Sequence, residues 1–145
     1  MRYFIVSVFA VILVGYSFVS CNQAGSGALK GEWMDDEQNT RIEFFKDGDT
    51  YSGKIVWLSN PTDSDGNPRL DVNNPDPGKQ KQPILGMILI RGLEYSDGSW
   101  KNGKIYAPRR GIYANCKIKI VSDDRLELTV YKAMFSQTKV WTREK

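Results

Sequence analysis

The stretch IYANCKIKIV (112–121), the tripeptide SDD (122–124) and the stretch RLELTVYK (125–132) together decide the fold. In the first, Ile112, Ala114, Cys116, Ile118 and Ile120 fall on one side, and Asn115, Lys117 and Lys119 on the other. A period of two is the period of a β-strand, and this composition predicts one buried and one wet face. The second stretch repeats the pattern with Leu126, Leu128 and Val130 inward. Ser122-Asp123-Asp124 joins them with residues that favour turns, so the pair reads as an antiparallel hairpin.

Working outward, the same alternation of short apolar runs and turn signals recurs every ~8–12 residues, the all-β pattern. Further strands are expected at 31–34, 41–46, 51–58, 85–95, 100–107 and 138–143. In the third of these, Tyr51, Gly53, Ile55 and Trp57 fall on one face. Asp47-Gly48-Asp49 and Ser96-Asp97-Gly98 punctuate the runs, because Gly tolerates positive φ. Eight strands with mostly short connections predict an antiparallel up-and-down eight-stranded barrel. A two-sheet β-sandwich suits the same spacing, and pairing of the first strand with the last discriminates the two. Gly31-x-Trp33 near one end and Arg143 near the other resemble the lipocalin and calycin arrangement. There a Trp seals the barrel floor beneath an Arg guanidinium.

One connection stands apart. SNPTDSDGNPRLDVNNPDPGKQKQP (59–83) is too rich in Pro, Asn, Asp and Gly for a central strand. Connections of this length are commonly functional, and this one is expected to fold over a barrel mouth.

The N-terminus reads as an export segment. Arg2 precedes a charge-free apolar run from Tyr3 to Val19, the signal-peptide pattern, with an uncleaved membrane helix as the alternative. Phe18-Val19-Ser20-Cys21 resembles a lipobox, although Phe18 replaces the usual Leu. The organisation expected is a signal peptide at 1–20, a lipid-modified Cys21 with a flexible tether at 21–29, and a β-barrel at 30–145. The partner so implied is a membrane, with the protein in the bacterial envelope facing the periplasm. Cys21 and Cys116 are the two cysteines; acylation of Cys21 leaves Cys116 as a small buried thiol, and a bridge between them is the alternative.

The 145 residues contain no His, which excludes an imidazole base and histidine metal ligands. A formal charge of +3 is too weak to argue for nucleic acid. No cofactor motif is present: Gly53-Lys54 and Gly103-Lys104 lie inside strands, not before helices.

With the strands laid out, the mature chain resembles a bacterial family of exported proteins known as domain of unknown function 2147. The matching pieces are Gly31-x-Trp33, the run Tyr51-x-Gly53-Lys54-Ile55-Val56-Trp57-Leu58, Asp65-Gly66 and Asp71-x-x-Asn74-Pro75-Asp76. Leu85-Gly86, Gly92-Leu93, Trp100-x-x-Gly103-x-Ile105-Tyr106-x-Pro108, Gly111-x-Tyr113 and Trp141-Thr142-Arg143 complete them. The chain departs where many relatives carry two cysteines, having Phe45 and Ser52 in that region, and where relatives often read Arg-Gly, having Thr129-Val130. The resemblance implies export and a β-rich domain; it implies no established activity.

Three candidate sites follow. Trp57, Trp100, Tyr106, Tyr113 and Tyr131 are candidates to line a pocket for a small amphipathic ligand, against the ordinary packing of aromatics in strands. Asp65, Asp71, Asn74 and Asp76 form a candidate loop site, as carboxylates for acid–base work or as solvated turn residues. Asp63, Asp65 and Asn67 resemble the start of a calcium loop, but Asn74 stands where its bidentate Glu belongs, and turn formation is the leading reading. The function expected is a non-enzymatic ligand-binding or interaction module of the envelope. The alternatives are an envelope enzyme using loop carboxylates and a structural lipoprotein with a filled barrel.

Overall fold

Hairpin chemistry sets the topology. In the computed structural model, which describes residues 24–145, the chain forms β1 (Gly31–Met34), β2 (Thr40–Asp47), β3 (Thr50–Leu58), β4 (Ile88–Ser96), β5 (Ser99–Ala107), β6 (Ile112–Ser122), β7 (Arg125–Lys132) and β8 (Phe135–Arg143). Each strand pairs with the next, and β1 pairs with β8 through Trp33 opposite Arg143 and Met34 opposite Thr142. The sheet is therefore a closed antiparallel barrel and not a sandwich. The export segment (1–20) and Cys21 lie outside the described residues.

The β6–β7 pair follows its alternation: Cys116, Ile118, Leu126 and Leu128 are buried, while Lys117 and Lys119 are exposed. Ile112, expected inward, is instead exposed where β6 begins. β8 starts three residues earlier than expected, at Phe135, and β4 three residues later, at Ile88. The long connection therefore runs to Met87.

The N-terminal face of β1 is the barrel floor, where the turns 47–50, 96–99 and 122–125 also lie. A strap crosses it. Ser26–Leu29 form a 3-10 turn, Leu29 is fully buried, and the Trp33 indole donates to the Leu29 carbonyl at 2.9 Å. Arg143 places its guanidinium 4.1 Å from the Trp33 ring centroid. The same guanidinium donates to the carbonyls of Ala28 (2.6 Å), Lys30 (2.9 Å) and Asp123 (2.8 Å). Gly31, at φ +109°, passes so close that a Cβ would lie 3.3 Å from Arg143 Nη1. Residues 24–29, expected to belong to a flexible tether, thus pack on the barrel, because Leu29 is apolar enough to join the core and Arg143 holds the backbone around it.

Two glycines let large side chains meet across the interior. A Cβ on Gly53 would come within 2.9 Å of Ile42 and Phe44, and one on Gly103 within 2.5 Å of Leu93 and 2.8 Å of Cys116. The space is occupied by Trp33, Trp100, Phe44, Trp141 and their aliphatic neighbours, so the barrel is a packed core. Burial also pushes the Cys116 thiol up to about 12.

The floor contacts carry a test. Trp33 has a hydrogen bond and a stacked cation; Trp100, equally buried, has no protein acceptor for its indole N–H. Replacing each by Phe removes similar volume. Trp33→Phe is therefore expected to cost about 1–3 kcal/mol more than Trp100→Phe, the difference reporting the lost bond to Leu29. Denaturant unfolding measures it, and equal losses would refute the assignment of the floor contact.

Candidate functional site

The connection 59–87 is ordered by its own polar side chains. Thr62 bridges Pro68, and Leu70 bridges Pro83. The Asp63 carboxylate accepts from the backbone N–H groups of Asp65 and Asn67, both at 2.9 Å, which closes a local turn. Asp63, Asp65 and Asn67 are all exposed. Among the described residues no three acidic, Cys or His side chains converge as a metal set.

Asp71 behaves differently. It is 1% exposed and accepts from the Tyr106 hydroxyl at 2.8 Å and from the Asn74 amide at 2.6 Å. The Asn74 backbone carbonyl accepts from the Gln80 side chain. Asn73, next to it, donates to the carbonyl of Arg109 at 3.1 Å. A Cβ on Gly111, at φ +62°, would run into the Asn73 carbonyl, so the loop backbone lies directly on the β5–β6 turn. Tyr106 is buried but stands outside the barrel core cluster, whereas its neighbour Ile105 packs against that core. Tyr106 therefore points outward, and the loop is a panel on the outer wall rather than a cover over the mouth. Desolvation, then the hydrogen bond to Asp71 and its charge, push the Tyr106 hydroxyl up to about 12.

The expected loop site is thus divided between Asp65 and the rest. Asp65 lies exposed in a turn of its own. Asp71 and Asn74 are buried partners, and the Asn74 side-chain carbonyl accepts from the Asp76 backbone N–H at 2.9 Å. Asp76 caps the 3-10 turn Pro77–Lys79 and sits 3.6 Å from Lys79. The expected aromatic pocket is divided as well. Trp100 lies in the core, 5.1 Å from Tyr95 and edge-on to Tyr51. Tyr106 stacks on Tyr113 at 4.7 Å on the outside, and Tyr131 is half-buried on the outer face of β7. Trp57 is exposed, with Arg41 over its ring at 5.6 Å. Its reversal has a local cause: a bulge in the β2–β3 pairing puts Trp57 opposite Arg41 while Ile55 faces Ile42, and Leu58 turns inward instead. The five aromatics do not share a pocket.

Two depressions open on the surface. One of about 460 Å3 lies beside the strap, between Ala24, Gly25 and Ala28 on one side and Ile120, Asp123 and Arg143 on the other. The second, about 380 Å3, lies between Gln82 and Arg91.

The end opposite the floor is different in character. Lys139, on the inward face of β8, turns its ammonium to Asp36 (3.1 Å) and Glu37 (3.6 Å) of the β1–β2 connection. Partial burial works against its charge, but the two carboxylates outweigh this and raise its pKa. Exposed apolar side chains toward that end include Val72 of the loop, Ile112 and Tyr113 of β6, and Met134 and Phe135 where β7 turns into β8, with Val72, Met134 and Phe135 the most exposed. Met134 is fully exposed and Phe135 is 66% exposed. Tyr113 is one of the candidate pocket residues of the sequence, whereas Met134 and Phe135 fall in the connection between the last two expected strands. The available signal was an apolar pair in a tight turn, where polar residues are the rule.

A closed eight-stranded up-and-down barrel with a Trp–Arg seal at its floor defines a lipocalin-like protein. The structure is similar to that of HP1028 from the human pathogen Helicobacter pylori, described as belonging to the lipocalin family. The TM-score is 0.72 at 20% identity, over 81% of this chain and 83% of that one, a likeness of fold. More specifically, the chain belongs to the DUF2147 family, described as uncharacterized protein conserved in bacteria, whose model matches residues 31–143. No curated protein matches the sequence.

The Asp71–Tyr106 contact predicts a pH dependence. A raised folded-state pKa means that the fold favours the protonated phenol. Below about pH 10 folded and unfolded states are both protonated and the contribution is complete; it is lost as pH rises from about 10 to about 12. Tyr106→Phe should lower stability at neutral pH by about 1–3 kcal/mol, leaving Asp71 short of a donor. It should also reduce the further loss between about pH 8 and about pH 11. Denaturant midpoints at the two pH values check both, and an unchanged alkaline loss in the variant would refute the contact.

Proposed function

We propose that the protein is a non-enzymatic interaction module of the bacterial cell envelope, membrane-anchored through an acylated Cys21. It binds through the end of the barrel that carries Val72, Tyr113, Met134 and Phe135. The observation that supports this reading is the contrast between a filled interior and large apolar side chains left in water at one end. A side chain such as Phe135 costs roughly 1.5–3 kcal/mol to expose when it has somewhere to be buried. Exposed apolar clusters of this kind commonly mark interaction surfaces.

A small amphipathic ligand inside the barrel finds less support, because Trp100, Phe44 and Trp141 occupy that volume. The enzyme reading also finds little: Asp65 stands apart in an exposed turn, Asp71 and Asp76 are tied into the loop through Asn74, and neither depression described above is lined by any of the three carboxylates.

The double variant Met134→Ser, Phe135→Ser should change folding stability by less than about 0.5 kcal/mol, since both side chains are exposed. A photo-crosslinking residue at position 135 should give discrete adducts in intact envelopes, and one at Lys117 on the wall should not. Native mass spectrometry of the purified mature protein should show no bound small molecule. A stoichiometric lipid-like ligand, with equal crosslinking from both positions, would replace this reading with ligand carriage.

A further inference from the structure

We infer that the anchor holds the barrel floor against the lipid surface and directs the Val72–Tyr113–Met134–Phe135 end away from that membrane; this rests on the acylation of Cys21 proposed above. The chain is fixed to the barrel early. The Ala24 carbonyl accepts from the Tyr95 hydroxyl at 2.6 Å, Leu29 is buried, and Arg143 grips the carbonyls of Ala28 and Lys30. Ala24 is three residues after Cys21. A chain advances at most ~3.3–3.6 Å per residue, so the leash spans no more than about 11 Å. Strands of eight or nine residues, tilted as barrels require, give a height of about 20–25 Å. The leash is therefore about half the barrel height, and it leaves from the floor. The opposite end cannot turn down to the same surface.

The floor carries both signs of charge: its turns present Asp47, Asp49, Asp97, Asp123 and Asp124, and Lys30, Lys46, Lys101, Arg125 and Lys145 stand exposed at the same end. The orientation therefore rests on the length of the leash and not on charge. The depression beside Ala24 and Arg143 consequently faces the headgroups.

The full acylated protein, in vesicles of phosphatidylethanolamine and phosphatidylglycerol carrying headgroup-linked quencher, tests this. Fluorophores are attached through Asp49→Cys at the floor or Met134→Cys at the far end; buried Cys116 stays unlabelled. The floor label should be quenched at least ~3-fold more than the far label, because contact quenching needs quencher and fluorophore to touch and the far end stands about 20–25 Å from the floor. A Gly/Ser insertion of about ten residues between Gln23 and Ala24 should narrow that difference, since a flexible linker of that length reaches roughly 16–19 Å. Equal quenching in the native-length protein overturns the orientation while leaving the anchor intact. Failure of the protein to float with vesicles, or flotation unchanged by Cys21→Ser, overturns the anchor itself and the orientation with it.

Discussion

Arg143 is the constraint on which the rest of the structure depends. Closing an eight-stranded sheet requires the first strand to meet the last, yet β1 has only four residues and pairs with β8 at two positions. That seam is weak in backbone hydrogen bonds. The guanidinium compensates by binding three carbonyls from two different segments while lying on the face of Trp33. A charged donor to backbone carbonyls contributes about 1.5–3 kcal/mol where neutral bonds contribute about 1. The contact with Trp33 adds about 0.5–2 kcal/mol. Closure, floor and strap are thus one cluster, and it explains why the strap is part of the domain.

Once the floor is sealed, the interior fills. Gly53 and Gly103 remove two Cβ atoms from the inner wall, and the room goes to Ile42, Phe44, Leu93 and Cys116. A barrel of this strand number is wide enough either for side chains or for one small ligand. Here large aromatics settle the choice. On the proposed reading the surface, not the interior, carries the binding, and the chemistry it offers lies at the rim and along the loop.

Much of this was readable in the sequence, for physical reasons. Strand period and turn residues act locally, so the eight strands and their order were legible from the alternation around Cys116 and its like along the chain, while the Trp33–Arg143 closure was legible only through the resemblance to the lipocalin arrangement. What escaped were features that one local shift reverses. The bulge beside Trp57 inserts a residue and exchanges the faces beyond it, which alternation cannot reveal. Tyr106 faces outward because a second irregularity, in the β5–β6 pairing between Trp100 and Gly103, exchanges the faces beyond it, and Asp71, 35 residues away, then covers its hydroxyl. Leu29 looked like the end of a polar tether because its burial is decided by Arg143, 114 positions further on.

The long loop shows how a polar segment becomes rigid. Burying a carboxylate is costly unless its oxygens are bonded. Each oxygen of Asp71 has one donor, from Tyr106 on the wall and from Asn74 within the loop, and no cation pairs with it among the described residues. Opening the loop would hydrate the carboxylate but would strip the outer face of Tyr106 and break the Asn73 contacts to the β5–β6 turn. A lid needs a low-energy open state; this segment is stiffened internally by its two bridges and is bonded to the wall through Asp71, Asn73, Gly86 and Met87. It is therefore a fixed panel that positions Val72 beside the β5–β6 turn. Asp71 and Asn74, Tyr106 and Pro108, and Gly111 and Tyr113, scattered along the sequence, meet at that panel. Their shared place in the fold is the clamp between loop and wall.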